Sequence, residues 1–246
     1  MFTEQHAVVT GGGTGIGAAI ARALAEQGVR LTLMGRRLDP LEALADELPQ
    51  AQAVVCDVGE EAQVHAAFTK AVDAFGAVSI LVNNAGMATS APFEKQALAQ
   101  FRQVLEVNLL GAFSCTRAVL AGMRQAKAGR IVNVASIVGL MGSPYITAYS
   151  ASKHAMVGMT KCLALEAGEG ITVNAVCPGY TETDMARQAI ETVVSKTGLD
   201  PDKARAVIVK DNPQGRMIQP QEVADTVAWL CSPRASGITG QAIVIA

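Results

Sequence analysis

Thr10-Gly11-Gly12-Gly13-Thr14-Gly15-Ile16-Gly17 is the stretch whose reading decides the fold. It follows a short apolar run, His6–Thr10. It opens a segment, residues 15–27, in which Ile16, Ala19, Ile20, Ala23 and Leu24 recur at helical spacing. Glycines permit a tight turn and a close backbone approach to a pyrophosphate. The helix that follows offers free N–H groups and the positive end of its dipole. A glycine cluster alone is a weak signal. A strand before it and a helix after it are the context that a dinucleotide site requires.

Outward from that turn the chain alternates strand and helix. Strands are expected at 29–34, 53–56, 78–82, 130–135, 171–176 and 242–245. Helices are expected at 40–48, 60–75, 149–166 and 220–230, with a further helical run from 97 to about 127 broken near 108–111. The strands are continuous apolar runs, as when both sheet faces are covered. Repeated β-α-β units with right-handed crossovers predict an α/β fold, a Rossmann-like doubly wound parallel β-sheet with helices on both faces. No linker or low-complexity segment divides residues 1–246, so one dinucleotide-binding domain is expected. Between the strand near Val176 and the helix near Pro220, two further helices (186–197 and 201–210) are separated by Thr197-Gly198-Leu199-Asp200. An insertion of that length at the carboxyl end of a strand reads as a substrate lid, about 181–217. A surface excursion for oligomer contacts is the alternative.

The chain has 246 residues, half of them apolar, and a net charge of -2. No long basic run marks a nucleic-acid or membrane surface. Met1-Phe2-Thr3-Glu4-Gln5-His6 runs straight into a strand with no basic-then-apolar leader. No apolar stretch reads as the ~18 residues a membrane span needs. A cytoplasmic location is expected. Cys56, Cys115, Cys162, Cys177 and Cys231 are scattered, as reduced packing residues would be. His6, His65 and His154 show no ligand spacing, so no metal site is expected.

The second strand ends in Met34-Gly35-Arg36-Arg37. An acidic residue there would take the adenosine ribose hydroxyls and repel a 2′-phosphate. None is present, and a guanidinium suits phosphate. NADP(H) is therefore favoured, with Arg36 the expected contact and Arg37 beside it. NAD(H) stays open if both arginines are solvated turn residues. At Cys56-Asp57-Val58, Asp57 either accepts from the adenine amino group or caps the next helix. In Asn83-Asn84-Ala85-Gly86, small residues permit close passage beside a ligand, and Asn83 serves either a ligand or a strand tie.

Tyr149 and Lys153 lie four residues apart in Y-S-A-S-K, one turn apart on one helix face, with Ser136 upstream. A nearby cation favours phenolate and lowers a tyrosine pKa from about 10. A serine hydroxyl would hold a carbonyl or alcohol oxygen beside the phenol. That is equipment for proton transfer at a C–O group, with hydride transfer the partner reaction.

Together these motifs resemble the short-chain dehydrogenase/reductase family over nearly the whole chain. They are T-G-G-G-T-G-I-G at 10–17, N-N-A-G at 83–86, V-N-L-L-G at 107–111, N-V-A-S at 133–136, Y-S-A-S-K at 149–153 and N-A-V-C-P-G-Y-T-E-T at 174–183. The resemblance implies a catalytic set. Tyr149 would be general acid/base. Lys153 would hold the nicotinamide ribose and depress the tyrosine pKa. Ser136 would polarise the substrate oxygen, and Asn108 would position a relay water. It implies cofactor contacts from Gly11, Thr14, Gly15, Ile16, Gly17, Val58, Asn84, Ala85 and Gly86, from Tyr149 and Lys153, and from Pro178, Gly179, Thr181 and Thr183 beside the nicotinamide. It implies a homotetramer packed through the helices around 109–127 and 149–166. The alternative is an idle, dinucleotide-sensing binding protein. The sequence ends at Ala246, short of the Asp-Gly-Gly tail that relatives usually carry.

The expected substrate lining is apolar. It comprises Ala88, Val138, Met141, Tyr145 and Ile146, with Met185, Ile190, Val193 and Val194 from the lid. The segment 149–220 is similar to β-ketoacyl-thioester and polyketide ketoreductases and to 3-hydroxybutyrate dehydrogenases. Members of the last group clamp a carboxylate at positions that are Ala88, Val138 and Ile146 here. None of these can bind a carboxylate, so a 3-oxoacyl or 3-hydroxyacyl thioester, linked to coenzyme A or a carrier, is preferred. A cyclic or aromatic-pathway alcohol or ketone is the alternative. Lys196, Lys203, Arg205 and Lys210 could meet phosphates. Glu191, Asp200, Asp202 and Asp211 beside them favour a mixed-charge solvated face.

Overall fold

The computed structural model describes residues 5–210 and 212–246. Met1 to Glu4, part of the N-terminal reading, and Asp211, one of the lid's acidic neighbours, lie outside the described residues. The strands are β1 (His6–Thr10), β2 (Arg30–Gly35), β3 (Ala51–Val55), β4 (Ile80–Asn83), β5 (Gly129–Val134), β6 (Ile171–Pro178) and β7 (Ala242–Ile245). The helices are α1 (Gly15–Ala25), α2 (Leu38–Glu47), α3 (Glu61–Phe75), α4 (Leu98–Leu105), α5 (Gly111–Ala126), α6 (Thr147–Glu166), α7 (Asp184–Thr197), α8 (Pro201–Val209) and α9 (Pro220–Cys231).

Among the described residues these seven strands form one parallel sheet in the order β3-β2-β1-β4-β5-β6-β7. Alternate side chains go to opposite faces. Ala7 and Val9 of β1, with Leu31 and Leu33 of β2, pack under α1 and α9. Val8 and Met34, with Leu81 and Ile131, pack under α3 and α5. Both faces are covered, which is why the strands read as unbroken apolar runs. Each fully buried leucine contributes about 1.5–3 kcal/mol of transfer free energy, so the central strands anchor the fold. Because every pair is parallel, all carboxyl ends lie on one edge. The order reverses between β1 and β4, and loops there diverge to open a crevice.

Two features refine the sequence reading. The run Leu98–Ala126 is helical throughout, and its expected break is a π turn at Glu106–Leu110, where the Gly111 N–H bonds the Glu106 carbonyl. Taken whole, that run is long and apolar enough to cross a membrane, where the sequence reading, dividing it at Asn108, found no such stretch. Here it packs against α3, α6, β4 and β5. Secondly, β6 extends through Pro178 because its end pairs with β7, Pro178 opposite Ile245.

Helices α7 and α8 leave the carboxyl edge after β6 and have their own small core. Ala186, Ile208 and Met217 are buried there, with Tyr180, Ala189, Ile190 and Val193 packed against them. Gly198, at φ 70, ends α7, and Asp200 caps α8 by accepting from the Asp202 N–H at 2.9 Å.

Candidate functional site

Gly11 and Gly15 hold φ of 62 and 54, the left-handed region in which a Cβ is strained. A Cβ on Gly17 would overlap the Gly11 carbonyl oxygen, so Gly17 is required for helix-to-turn packing. Asn84 ties the turn to β4, its amide nitrogen donating to the Thr10 and Gly11 carbonyls at 2.9 and 3.1 Å. Thr14 precedes α1 without a side-chain capping bond, and the first turn of α1 carries no acid. The first-turn N–H groups are thus left for an anion, and the residues present fit a dinucleotide pyrophosphate.

The turn forms one end of a cavity of about 450 Å³. Gly11, Thr14, Gly15 and Ile16 line it, as do Asn84, Ala85, Gly86 and Ala88 after β4. Ser136, Val138, Ile146, Tyr149 and Lys153 form its floor and far wall, and Pro178, Gly179, Thr181, Thr183 and Met185 close the lid side. The structure thus brings together most of the residues singled out in the sequence. Others stand apart. Arg36 and Arg37 are exposed at the end of β2, and Asp57 and Val58 follow β3 on the same edge, outside the lining. Asp57 accepts from the Gly59 N–H at 3.0 Å in the turn before α3, but Glu60 stands at the N-cap of that helix, so Asp57 does not take the expected capping role. Asn83 takes the structural option, donating to Thr116 and Asn133 across β4, α5 and β5 at 3.1 and 2.8 Å.

Five residues expected in the substrate wall lie outside it. Met141 and Tyr145, expected to line it, are exposed and lie outside it. Tyr145 holds a left-handed φ of 70, and its carbonyl accepts from the Ala91 N–H at 2.8 Å, joining two loops that flank the cavity. Ile190 and Val193 point into the α7–α8 core and Val194 is not part of the lining. Gln188, Ala189 and Thr192 line the cavity instead. Met185, Gln188, Ala189 and Thr192 share one helix face by spacing, so counting from Met185 would have found them. Thr89, Ser90 and Tyr180 also line the cavity and carried no separate sequence signal.

Lys153 is 3% exposed. Its ammonium donates to the Val134 carbonyl at 2.7 Å and lies 5.6 Å from the centre of the Tyr149 ring. Burial lowers its pKa to about 8. Tyr149 does not show the expected lowering. Burial pushes the phenol up to about 12, and the neighbouring Ser136 hydroxyl offsets this only in part. The lysine ammonium donates to the Val134 carbonyl, not to the phenol oxygen, and its charge is not among the causes that act on Tyr149. Ser136 donates its hydroxyl proton to the Pro178 carbonyl at 3.4 Å, linking the ends of β5 and β6.

Asn108 is fully buried in the π turn. Its Oδ1 accepts from the Met87 N–H at 2.8 Å, and its Nδ2 donates to the Met87 carbonyl at 2.9 Å and to Ser152 at 3.0 Å. Both amide protons are therefore committed, so its side chain positions the loop after β4 and the Tyr149–Lys153 turn. Gly86 lies close against this network, since a Cβ there would be a tight 3.3 Å from Asn108 Oδ1 and in ordinary contact, 3.7 Å, with Lys153 Nζ. Among the described residues no group of His, Cys, Asp or Glu could hold a metal.

Comparison with known proteins agrees with this geometry. Residues 5–193 match the family model described as short chain dehydrogenase. A Streptomyces coelicolor protein given the provisional name ketoacyl reductase is 41% identical, covering 98% of this chain and 95% of its own. The D-beta-hydroxybutyrate dehydrogenase of Cupriavidus necator is 35% identical, with the same coverage of 98% and 95%. A single-residue variant of the actinorhodin polyketide ketoreductase, solved with NADPH, superposes with a TM-score of 0.95 at 39% identity, covering 100% of this chain and 97% of that one. The glycine turn, the buried lysine beside tyrosine and serine, and these matches lead to one assignment: the chain belongs to the short chain dehydrogenase family.

Proposed function

We propose that this chain interconverts a neutral ketone and its secondary alcohol with NADP(H), and that its preferred substrate is a 3-oxoacyl thioester. The observation that carries the reading is the convergence of Ser136, Tyr149 and Lys153 on one otherwise largely apolar cavity. When bound, the nicotinamide supplies or accepts the hydride. Ser136 hydrogen-bonds the substrate oxygen, and Tyr149 delivers the proton that the developing alkoxide takes up. Lys153, fixed at the Val134 carbonyl, orients the nicotinamide ribose and keeps positive charge behind the phenol. Arg36 and Arg37, with no carboxylate at the end of β2, support NADP(H), as does the NADPH in the related ketoreductase structure.

Lys153 is the lone cationic side chain among the described lining residues, and it is already engaged. Ala88, Val138 and Ile146 carry no polar group into the cavity, and the donors that line it, among them Thr89, Ser90, Gln188 and Thr192, carry no charge to match a carboxylate. That supports a thioester over a free hydroxy acid. A cyclic ketone meets the same requirements. The cytoplasmic location and the homotetramer belong to the same proposal. Exposed Leu110, Phe113 and Leu165, on the π turn, α5 and α6, support contact between copies there. The test compares a short 3-oxoacyl-coenzyme A, the free 3-oxo acid and a cyclic ketone, each with NADPH and NADH. Preference for the thioester with NADPH supports the reading. Preference for the free acid overturns the substrate class, and preference for NADH overturns the cofactor.

A further inference from the structure

The wall formed by Pro178, Gly179, Tyr180 and Thr181 connects the end of β6 to the lid and lines the cavity. Its backbone is paired on one side. The Gly179 N–H donates to the Ile245 carbonyl at 2.8 Å, the Ile218 N–H to the Tyr180 carbonyl at 2.9 Å, and the Glu182 N–H to the Ile218 carbonyl at 2.9 Å. The Tyr180 N–H instead meets a side chain. Asn212 Oδ1 accepts from it at 3.1 Å, while Asn212 Nδ2 donates to the Tyr180 carbonyl at 3.1 Å and to the Arg216 carbonyl at 2.7 Å. Asn212 is 2% exposed and follows α8, its own N–H bonded to the Val209 carbonyl at 2.9 Å.

Asn212 thus grips both backbone groups of Tyr180, as Asn108 grips both of Met87 on the loop after β4. Two amide side chains hold two loops that border the cavity. Gly179 completes the arrangement. A Cβ there would overlap Asn212 Oδ1 and lie 3.0 Å from Asn212 Cγ. Those atoms cannot swing away without breaking the bonds to Tyr180. Gly179 does not hold a left-handed φ, so space alone demands glycine at this position.

We propose that Asn212 is a positioning residue that sets the cavity wall from behind and couples the end of α8 to the Pro178–Thr181 segment. This rests on the cofactor reading above, in which that segment flanks the nicotinamide. Removing the Asn212 amide takes away the acceptor that holds the Tyr180 N–H and lets the wall shift. Ser136, which donates to the Pro178 carbonyl, shifts with it.

The experiment compares wild type, Asn212→Ala, Gly179→Ala and the double variant at a temperature at which circular dichroism shows all four folded. NADPH dissociation is read from nucleotide fluorescence, kcat at saturating NADPH, and exchange of the Tyr180 amide by NMR. Asn212→Ala should weaken NADPH about tenfold, the scale of one lost buried hydrogen bond, and lower kcat. Gly179→Ala should be worse. The double variant should be no worse than Asn212→Ala, because the truncated side chain makes room for the new methyl. A lower melting temperature with unchanged NADPH affinity and kcat would reduce Asn212 to a fold anchor and overturn the proposal. So would multiplicative single effects. Wild type that binds no NADPH contradicts the cofactor reading instead. The clamp is then judged by the Tyr180 amide, which must be protected in wild type and fast in Asn212→Ala.

Discussion

Lys153 donates to the Val134 carbonyl at 2.7 Å, and burial brings its pKa to about 8. Its ammonium is charged below that value and neutral above it. If charged Lys153 holds the cofactor ribose, kcat/KM for NADPH falls as pH rises through about 8. Lys153→Met should remove that limb along with most activity. A pH profile that stays flat to pH 9.5, or about that, would contradict the role. Tyr149→Phe should lower kcat by about 100- to 10,000-fold, the usual span for a lost general acid, with NADPH affinity nearly unchanged. At this scale the chemistry was legible in the sequence, because Y-S-A-S-K places phenol and ammonium on one helix face. The pKa direction of Tyr149 was not. It depends on burial and on where Lys153 donates, neither of which is written in the spacing.

At the scale of elements, the glycine turn and α1 depend on an approach that side chains would forbid. Gly17→Ala should cost about 1–3 kcal/mol, the range for overpacking a tight contact, measured by urea denaturation. Unchanged stability would mean that the turn relaxes freely. Most element positions followed from apolar periodicity, and β7 lies where the sequence placed it. The differences have local causes. The break near Asn108 is a π turn, which apolar spacing cannot tell from a kink. The lid helices were legible, and their cavity face follows from Met185 by spacing, but Ile190 and Val193, expected on that face, serve the packing between α7 and α8. Asn212 left no sequence signal, since its partner Tyr180 is distant in the chain.

Across the whole molecule, one buried histidine ties the sheet to a flanking helix. His6 begins β1, fully buried. Its Nδ1 lies 2.9 Å from the Gly76 carbonyl, and its Nε2 lies 2.9 Å from Thr32 of β2. The carbonyl can only accept, so Nδ1 carries the proton and Nε2 accepts from Thr32. Burial holds the His6 pKa below its ordinary 6.5. The unfolded chain therefore binds the proton first, and the stability that neutral His6 contributes is complete above pH 6.5 and lost as pH falls below it. Urea midpoints of wild type should drop between about pH 7.5 and 5.5 by more than those of His6→Gln. Equal drops would show that His6 does not carry the linkage. The parallel order of the sheet follows from the β-α-β rhythm, whereas this tie between β1, β2 and the end of α3 needed coordinates.

Cofactor choice also belongs to the whole molecule, because Arg36 and Arg37 sit at the end of β2, outside the cavity that holds Ser136, Tyr149 and Lys153. Arg36→Ala should weaken NADPH binding about tenfold while leaving NADH nearly unchanged, as loss of one charge-assisted phosphate contact would. Equal effects on both would place the 2′-phosphate elsewhere. The most direct measurement is the rate of NADPH oxidation with a short 3-oxoacyl-coenzyme A, for wild type and Tyr149→Phe side by side. The predicted result is turnover by wild type that Tyr149→Phe abolishes while still binding NADPH. Equal turnover by the two, or NADPH binding by wild type without reduction of the thioester or of a cyclic ketone, would contradict the account.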